Sequence, residues 1–343
     1  KLPAPVLTQD RYVSYEDNIR FPMLQVVFPT VPAGHPDEYA LDALAEIIGQ
    51  GKNSLLYKNL IKPQRAVQAQ SYNSTSELAG EFIMVALPFP GKGLDSLEMQ
   101  VRSSLAEFER TGATAEQVAR FKSSTEAQVV NSLASVSGKV SQLAANQTYY
   151  NNPNRLPLEL KALRAVTPAD VNRVYAKYLK DKHAVVLSVL PKGGTVPPIK
   201  PDNFTASKDS YQAPDYGYEG LSYTKPTDNF DRSKQPTGGA APLVQVPTVW
   251  QSKMDNGLRL MGNRNTEIPT ATMLLTIRGG RRLEQLNRNQ AGIAALTAAM
   301  MNEGTEKYTS EQFSASSACC TRASRRPISP ASRSRPSKAL PTR

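Results

Sequence analysis

Apolar positions recur along the first 190 residues with two alternating periods. The run Phe21–Phe28 (FPMLQVVF) predicts a strand. From His35-Pro36-Asp37 the period lengthens. Leu41, Leu44, Ala45 and Ile48 fall at i, i+3, i+4 and i+7, which predicts an amphipathic helix stopped by Gly49 and Gly51. Two strands follow, Ala66–Asn73 and the more apolar Glu81–Phe89, joined through Ser74, Thr75 and Ser76. A helix over Asp95–Arg110 carries Leu97, Val101, Leu105 and Phe108 on one face. Thr114 and Gln117 have capping-box spacing, so each side chain can satisfy an orphan backbone donor. The helical period then runs through Val129, Leu133, Val136, Val140 and Leu143, with Gly138 as the expected interruption. Thr167-Pro168-Ala169-Asp170 starts another helix, and Val171, Val174, Tyr175 and Tyr178 form its face. Ala184–Leu190 is apolar on both faces, as a central strand should be.

The pattern changes at 191–247. Nine prolines interleaved with aromatics argue against helix or central strand and predict an extended connection lying on a surface. A second unit begins near 248. Asp255-Asn256-Gly257 predicts a hairpin with a type I′ turn. Thr272–Arg278 reads as a strand and Gln290–Asn302 as a helix with Ile293, Leu296 and Met300 on one face. Strand, Gly-rich turn, helix and Gly repeat the order of residues 21–51, a weak internal repeat. After Phe313 the period disappears into Ser, Arg, Pro and Ala, a composition that buries too little apolar area to order itself. The order of elements predicts an α/β (α+β) fold: a layered mixed or antiparallel β-sheet with helices packed on it, plus a partial second copy. The expected boundaries are 1–193 for the first domain, 194–247 for the linker, 248–313 for an incomplete further domain and 314–343 for a disordered basic tail.

Composition narrows the chemistry. The 343 residues carry a formal charge of +11, but seven of those charges lie in 314–343, which has no Asp or Glu. The rest of the chain is only mildly basic, so nucleic-acid binding would have to rest on the tail. An out-of-frame end is the plainer account of that tail. No apolar run approaches the roughly 18–20 residues of a membrane span. There are two histidines, His35 and His183, and two adjacent cysteines, Cys319 and Cys320. That supply excludes a His-rich metal site, a disulfide framework and a CxxC zinc site. The chain opens on KLPAPVLTQD, without Met or a signal-type apolar stretch, and reads as an internal piece of something longer.

Six segments taken together resemble the insulinase/pitrilysin family of zinc metallopeptidases: Gly49–Tyr57 (GQGKNSLLY), Arg110–Lys122, Val166–Leu179, Met254–Leu260, Arg278–Glu284 and Gly292–Thr305. The resemblance implies a peptidasome-type repeat domain. Large members of that family have four such domains in two halves closing around a peptide chamber. It places 1–193 as the second domain, 194–247 between the halves and 248–313 as the start of the third. The family's zinc site is His-x-x-Glu-His on a helix, with a later Glu as third ligand. On the matching helix here, Ala295 and Ala299 hold the His positions and Ala298 the Glu position, and the last acid of the chain is Glu311. The family's Arg/Tyr pair, which steadies substrate and oxyanion, aligns with Ile61 and Gln68.

The resemblance thus implies a non-catalytic, chamber-forming portion of a zinc-dependent metalloendopeptidase. It implies no catalytic, cofactor-binding or metal residue in this chain, with zinc in a missing upstream domain. Partners would be a peptide substrate in the chamber and a possible homologous subunit, with no membrane. A catalytically dead structural subunit and a tail that binds nucleic acid are the alternatives. The guessed location is the bacterial periplasm or envelope. His35 and His183 read as exposed residues beside element ends. Asp37 with Glu38, and Asp42 with Glu46, read as helix charges rather than a catalytic pair. Gly49-x-Gly51 reads as a helix stop, Tyr149-Tyr150 as packing groups, and Trp250 as an anchor of its strand.

Overall fold

The computed structural model describes residues 6–205 without a break and, after them, 217, 219–222, 224, 227, 231, 233–234, 239, 247–265, 271–276, 280, 284, 289, 291–301 and 303–319. The tail beyond 319, most of Arg278–Glu284 and most of the proline-rich stretch lie outside the described residues. Lys1–Phe204 and Thr270–Arg343 group into one unit, and Thr205–Pro269 into another.

The first unit is built on a five-stranded mixed sheet. Its strands are β1 (Arg11–Asp17), β2 (Met23–Thr30), β3 (Ala66–Thr75), β4 (Gly80–Pro88) and β5 (Val185–Pro191), in the order β1-β5-β2-β4-β3. β5 runs parallel to β1 and antiparallel to β2, and β2–β4–β3 are antiparallel. The predicted central position of Ala184–Leu190 is thus observed. β1 has no counterpart in the sequence reading, because RYVSYED lacks a continuous apolar face. Its partner β5 and the strand order hold it in place.

Register puts one apolar row on the core side. Leu24, Val26 and Phe28 of β2 face Ala86, Met84 and Phe82 of β4, and all six are buried. Full burial of each phenylalanine contributes roughly 1.5–3 kcal/mol. Helices cover this row: α1 (Glu38–Gly49), α2 (Leu94–Thr111) and α6 (Pro168–Tyr178). Leu41, Leu44 and Ile48 of α1 are fully buried, as the i, i+3, i+7 spacing requires. Phe108 of α2 packs on Tyr175 of α6 with ring centroids 4.9 Å apart, and the Tyr175 hydroxyl donates to the Leu105 carbonyl at 2.9 Å.

Three further helices complete the layer: α3 (Ala115–Ser132), α4 (Val136–Tyr150) and α5 (Leu156–Ala165). The Thr114–Gln117 capping box is present in both halves, as is one between Thr167 and Asp170. The long helical period does break, but upstream of Gly138. Leu133–Ser135 separate the two helices, and Ser135 caps α4 by accepting from the Gly138 N–H at 3.0 Å. Gly138 therefore sits in the first turn of α4. A Cβ there would lie 1.8 Å from the Ser132 carbonyl oxygen, so glycine is what lets α4 start so close to the end of α3. α5 went unread in the sequence because Pro157 disguises a helix start, although proline is favoured in a first turn.

The chain stays on the sheet to Phe204. The Asn203 side chain accepts from the Tyr12 N–H at 2.8 Å and donates to the Asp10 carbonyl at 2.9 Å, and the Asn203 N–H donates to the Tyr12 carbonyl at 3.1 Å. One asparagine thus completes the outer edge of β1 as a short strand would.

The second unit contains a hairpin, β6 (Trp250–Lys253) paired with β7 (Arg259–Gly262). The turn differs from the predicted type I′. The Gly257 N–H donates to the Met254 carbonyl at 2.9 Å, and of the turn residues only Gly257 has positive φ, at 85°. This is a type I turn followed by a left-handed glycine, the three-residue hairpin solution. It asks one residue rather than two to adopt positive φ.

The expected strand at Thr272–Arg278 is not formed: the described residues 271–276 are irregular and join no ladder. Two short helices follow, α7 (Ile293–Met300) and α8 (Ser310–Cys319). α8 runs past Phe313, where the apolar period ends, because its start is locally encoded. The Gln312 N–H donates to Thr309 Oγ1 at 3.2 Å and the Thr309 N–H to Gln312 Oε1 at 3.0 Å. Among the described residues no helix is long and apolar enough to cross a membrane.

Candidate functional site

The residues marked by the sequence are not brought together. Ala295, Ala298 and Ala299 lie on exposed α7 and offer methyl groups only. Among the described residues no group of three His, Cys, Asp or Glu side chains could hold a metal ion. A zinc ion of the His-x-x-Glu-His kind therefore does not fit α7. Glu311, the last acid, pairs with Lys62 at 2.5 Å. Ile61 ends a π-helical turn over Tyr57–Ile61 and packs against the core, whereas Gln68 is exposed on β3. Neither has the charge or the phenol that the aligned pair would need.

The histidines serve locally. His35 Nδ1 accepts from the Asp37 N–H at 3.0 Å, and exposed His183 lies 3.6 Å from Asp10. Tyr150 lies beneath the Arg155 guanidinium at 3.7 Å, while Tyr149 is exposed. Trp250 is more than half exposed on β6.

The polar constellation that the fold does assemble lies along α1. Asp37, only 4% exposed, precedes the helix, yet its carboxylate does not cap it. It reaches instead to α6, accepting from the Tyr178 hydroxyl at 2.7 Å and from Lys177 Nζ at 3.1 Å, with Arg173 at 2.8 Å. Burial alone would raise this carboxyl. The hydrogen bonds from Tyr178, Arg173 and Lys177 outweigh burial and hold it at about 2. Asp37 is thus a buried anchor between α1 and α6, not the first-turn surface charge that its sequence position suggests. The signal lay in α6, where Arg173, Lys177 and Tyr178 share one side of a helix at i, i+4 and i+5.

Further along α1 the acids Glu38, Asp42 and Glu46 stand at i, i+4 and i+8. Such like-charge neighbours repel in water. Here each has a partner on another element. Glu38 accepts from the Gly34 N–H at 2.6 Å and the Thr75 hydroxyl at 2.9 Å. Asp42 accepts from Asn73 Nδ2 at 2.9 Å, and Glu46 from the Ser124 hydroxyl at 3.3 Å. Burial pushes Asp42 up to about 7 against the Asn73 hydrogen bond, with the Glu38 charge adding to the rise. Burial likewise raises Glu46, opposed by Ser124 and Arg120. These are interface acids rather than solvated helix charges.

Beside this row lies a cleft of about 380 Å³, whose lining includes Glu38, Tyr39, Tyr150, Arg155 and Glu159. Arg155 Nε lies 3.3 Å from Glu159 Oε1, an ion-pair distance without hydrogen-bond alignment. The cleft supplies its own cation over its own aromatic ring. Neither it nor the α1 row pairs a nucleophile with a base. The described residues thus provide a folded scaffold with a row of acids along α1 that meets α6, β3 and α3.

Residues 1–125 match the family profile described as the peptidase M16 inactive domain. The "Zinc protease PqqE" of Helicobacter pylori is 23% identical over 197 residues, covering 55% of this chain and 44% of that protein. The crystal structure of a protease from Helicobacter pylori superposes with a TM-score of 0.50 at 23% identity, covering 55% of this chain and 46% of that one. A peptidase M16 inactive domain from Pseudomonas fluorescens gives a TM-score of 0.48 at 18% identity, covering 58% and 47%. The chain spans less than half the length of these relatives. The mixed sheet with helices packed on it is the α/β fold of the Helicobacter pylori structure. The likeness to the insulinase/pitrilysin, or M16, peptidases is thus carried by the first unit, through the profile on residues 1–125 and the Helicobacter pylori relative.

Proposed function

We propose that this chain is a non-catalytic wall of a peptide-degrading chamber, completed by a zinc-bearing domain of the same family. The observation that carries the reading is the conjunction of an M16 inactive-domain profile on residues 1–125 with alanines at 295, 298 and 299, where the family's metal motif would stand. Residues 194–247 then connect the halves, and 248–313 begin a further domain. The periplasm or cell envelope is the compartment proposed for it.

The physics of the sheet suits a wall. β3 ends the strand order, and its outer edge is paired to no strand among the described residues. An edge of this kind can take up an extended peptide through backbone hydrogen bonds, which is indifferent to peptide sequence. Val67 and Tyr72 are exposed on β3 and would add apolar contact. Peptide held this way still needs a water-activating metal, which the partner domain would contribute.

The test is complementation. A zinc-carrying M16 polypeptide from the same source and this chain are assayed separately and together on unstructured peptides. Hydrolysis that appears, or rises at least tenfold, only on mixing supports the wall role. Hydrolysis by this chain alone, or a zinc-bearing partner indifferent to its presence, contradicts it.

A further inference from the structure

Two lysines of the first unit stand apart from the α1 acid row and meet the far end of the chain. Lys52 sits in the turn after α1, where Ser54 Oγ donates to the Gly51 carbonyl at 2.9 Å. Lys62 directly follows the π-helical turn over Tyr57–Ile61. Both side chains are used by residues some 250 positions later. Lys52 Nζ donates to Glu303 Oε2 at 2.7 Å and to Ser310 Oγ at 2.8 Å. Lys62 Nζ donates to Glu311 Oε1 at 2.5 Å.

We propose that the surface bearing Lys52 and Lys62 is a docking seat for an acidic, pre-capped helical segment, and that its resident occupant is the chain's own Glu303–Phe313 stretch. The occupant is organised before it docks. Thr305 Oγ1 accepts from the N–H groups of Lys307 and Tyr308, which fixes a turn. Thr309 and Gln312 box the start of α8. The turn and box bring Ser310 Oγ within 3.1 Å of Glu303 Oε2, so one lysine can engage both. α8 also packs on α3, which adds a helix–helix contact beside the charges. Glu303, Glu306 and Glu311 are the last three acids of the chain, and two of them meet these lysines.

Each ion pair is partly solvated, and isolated surface pairs of this kind are weak and screened by salt. The seat works as a set: two bridges, one helix contact and a covalent tether that keeps the occupant at high local concentration. A releasable latch follows, closed at low salt and opened by screening or by a competing acidic segment. The inference concerns residues 52, 62 and 303–313 only and stands whether or not the chain serves a peptidase.

Zero-length carbodiimide cross-linking of the intact monomeric chain, read by mass spectrometry, tests the proposal. Peptides joining Lys52 to Glu303 and Lys62 to Glu311 are expected at low ionic strength, falling about fivefold or more near 0.5 M salt as the Debye length shrinks. Lys52→Glu with Lys62→Glu should open the latch, seen as faster proteolysis within 303–313. Adding Glu303→Lys and Glu311→Lys should restore the original rate. Absence of both cross-links, or a charge swap that does not restore protection, overturns the proposal. Because the swap keeps both partners in the chain, recovery separates docking from a folding defect of the double reversal.

Discussion

The sheet of the first unit and the hairpin-plus-helix stretch near residues 250–300 start from similar sequence patterns and reach opposite outcomes. β2 alternates half-buried and buried residues along its length, and α1 buries eight of its twelve residues. β6 is exposed throughout, and α7, as apolar as any helix here, buries none. Amphipathic or apolar patterning thus specifies an element, while a core requires neighbours enough to cover it. Residues 6–205 have five strands and six α-helices to cover them. The later stretch offers two four-residue strands and one helix of eight residues, with Leu296 and Met300 at about 60% exposure.

The widest gap should appear on emptying a core position. Phe82→Ala removes a fully buried ring facing Phe28 and should cost about 3–5 kcal/mol. Leu296→Ala on α7 should stay within about 0.5 kcal/mol. Urea unfolding followed by circular dichroism compares the two, and equal effects would erase the contrast.

Within the first unit, two acids of the α1 region should respond to pH with opposite sign. Asp37 is held at about 2, below its ordinary value of 3.8. Its contribution is present above pH 4 and lost as pH falls towards 2. Asp37→Asn should therefore cost roughly 2 kcal/mol at pH 7 and little at pH 2, since one pKa unit is about 1.4 kcal/mol. Asp42 is raised to about 7. Its folded form is favoured below pH 4, and that advantage drains away between pH 4 and 7 as the buried carboxyl must ionise. Asp42→Asn keeps the acceptor for Asn73 and should stabilise the protein at pH 8 by roughly 4 kcal/mol, with little change at pH 4. Thermal melts across that range check both signs.

The smallest effect belongs to a cap. Thr114→Ala removes the acceptor for the Gln117 N–H and should cost about 1 kcal/mol, read from the same denaturation curves.

What the sequence made legible follows from where the information is local. The capping boxes at Thr114 and Thr167, the i, i+3, i+7 face of α1 and the doubly apolar β5 each state their structure within a few residues. β1 was missed because its burial depends on β5, about 170 residues away. The turn at Asn256 was assigned the wrong type because Asn-Gly serves two hairpin geometries, and strand twist selects between them. Gly138 stands out in the sequence more than Ser135 does, because a glycine announces itself, whereas a serine cap shows only once the chain turns. The roles of Asp37, Asp42 and Glu46 were hidden for the same reason as β1. A carboxylate on a helix flank looks solvated until α6, β3 and α3 are laid against it.

Metal content bears most directly on the chain's role. The purified protein, incubated with excess zinc, dialysed and analysed by elemental mass spectrometry, should retain far less than one zinc per chain and cleave no peptide. Zinc retained at one equivalent, together with peptide cleavage that a chelator abolishes, would contradict the account.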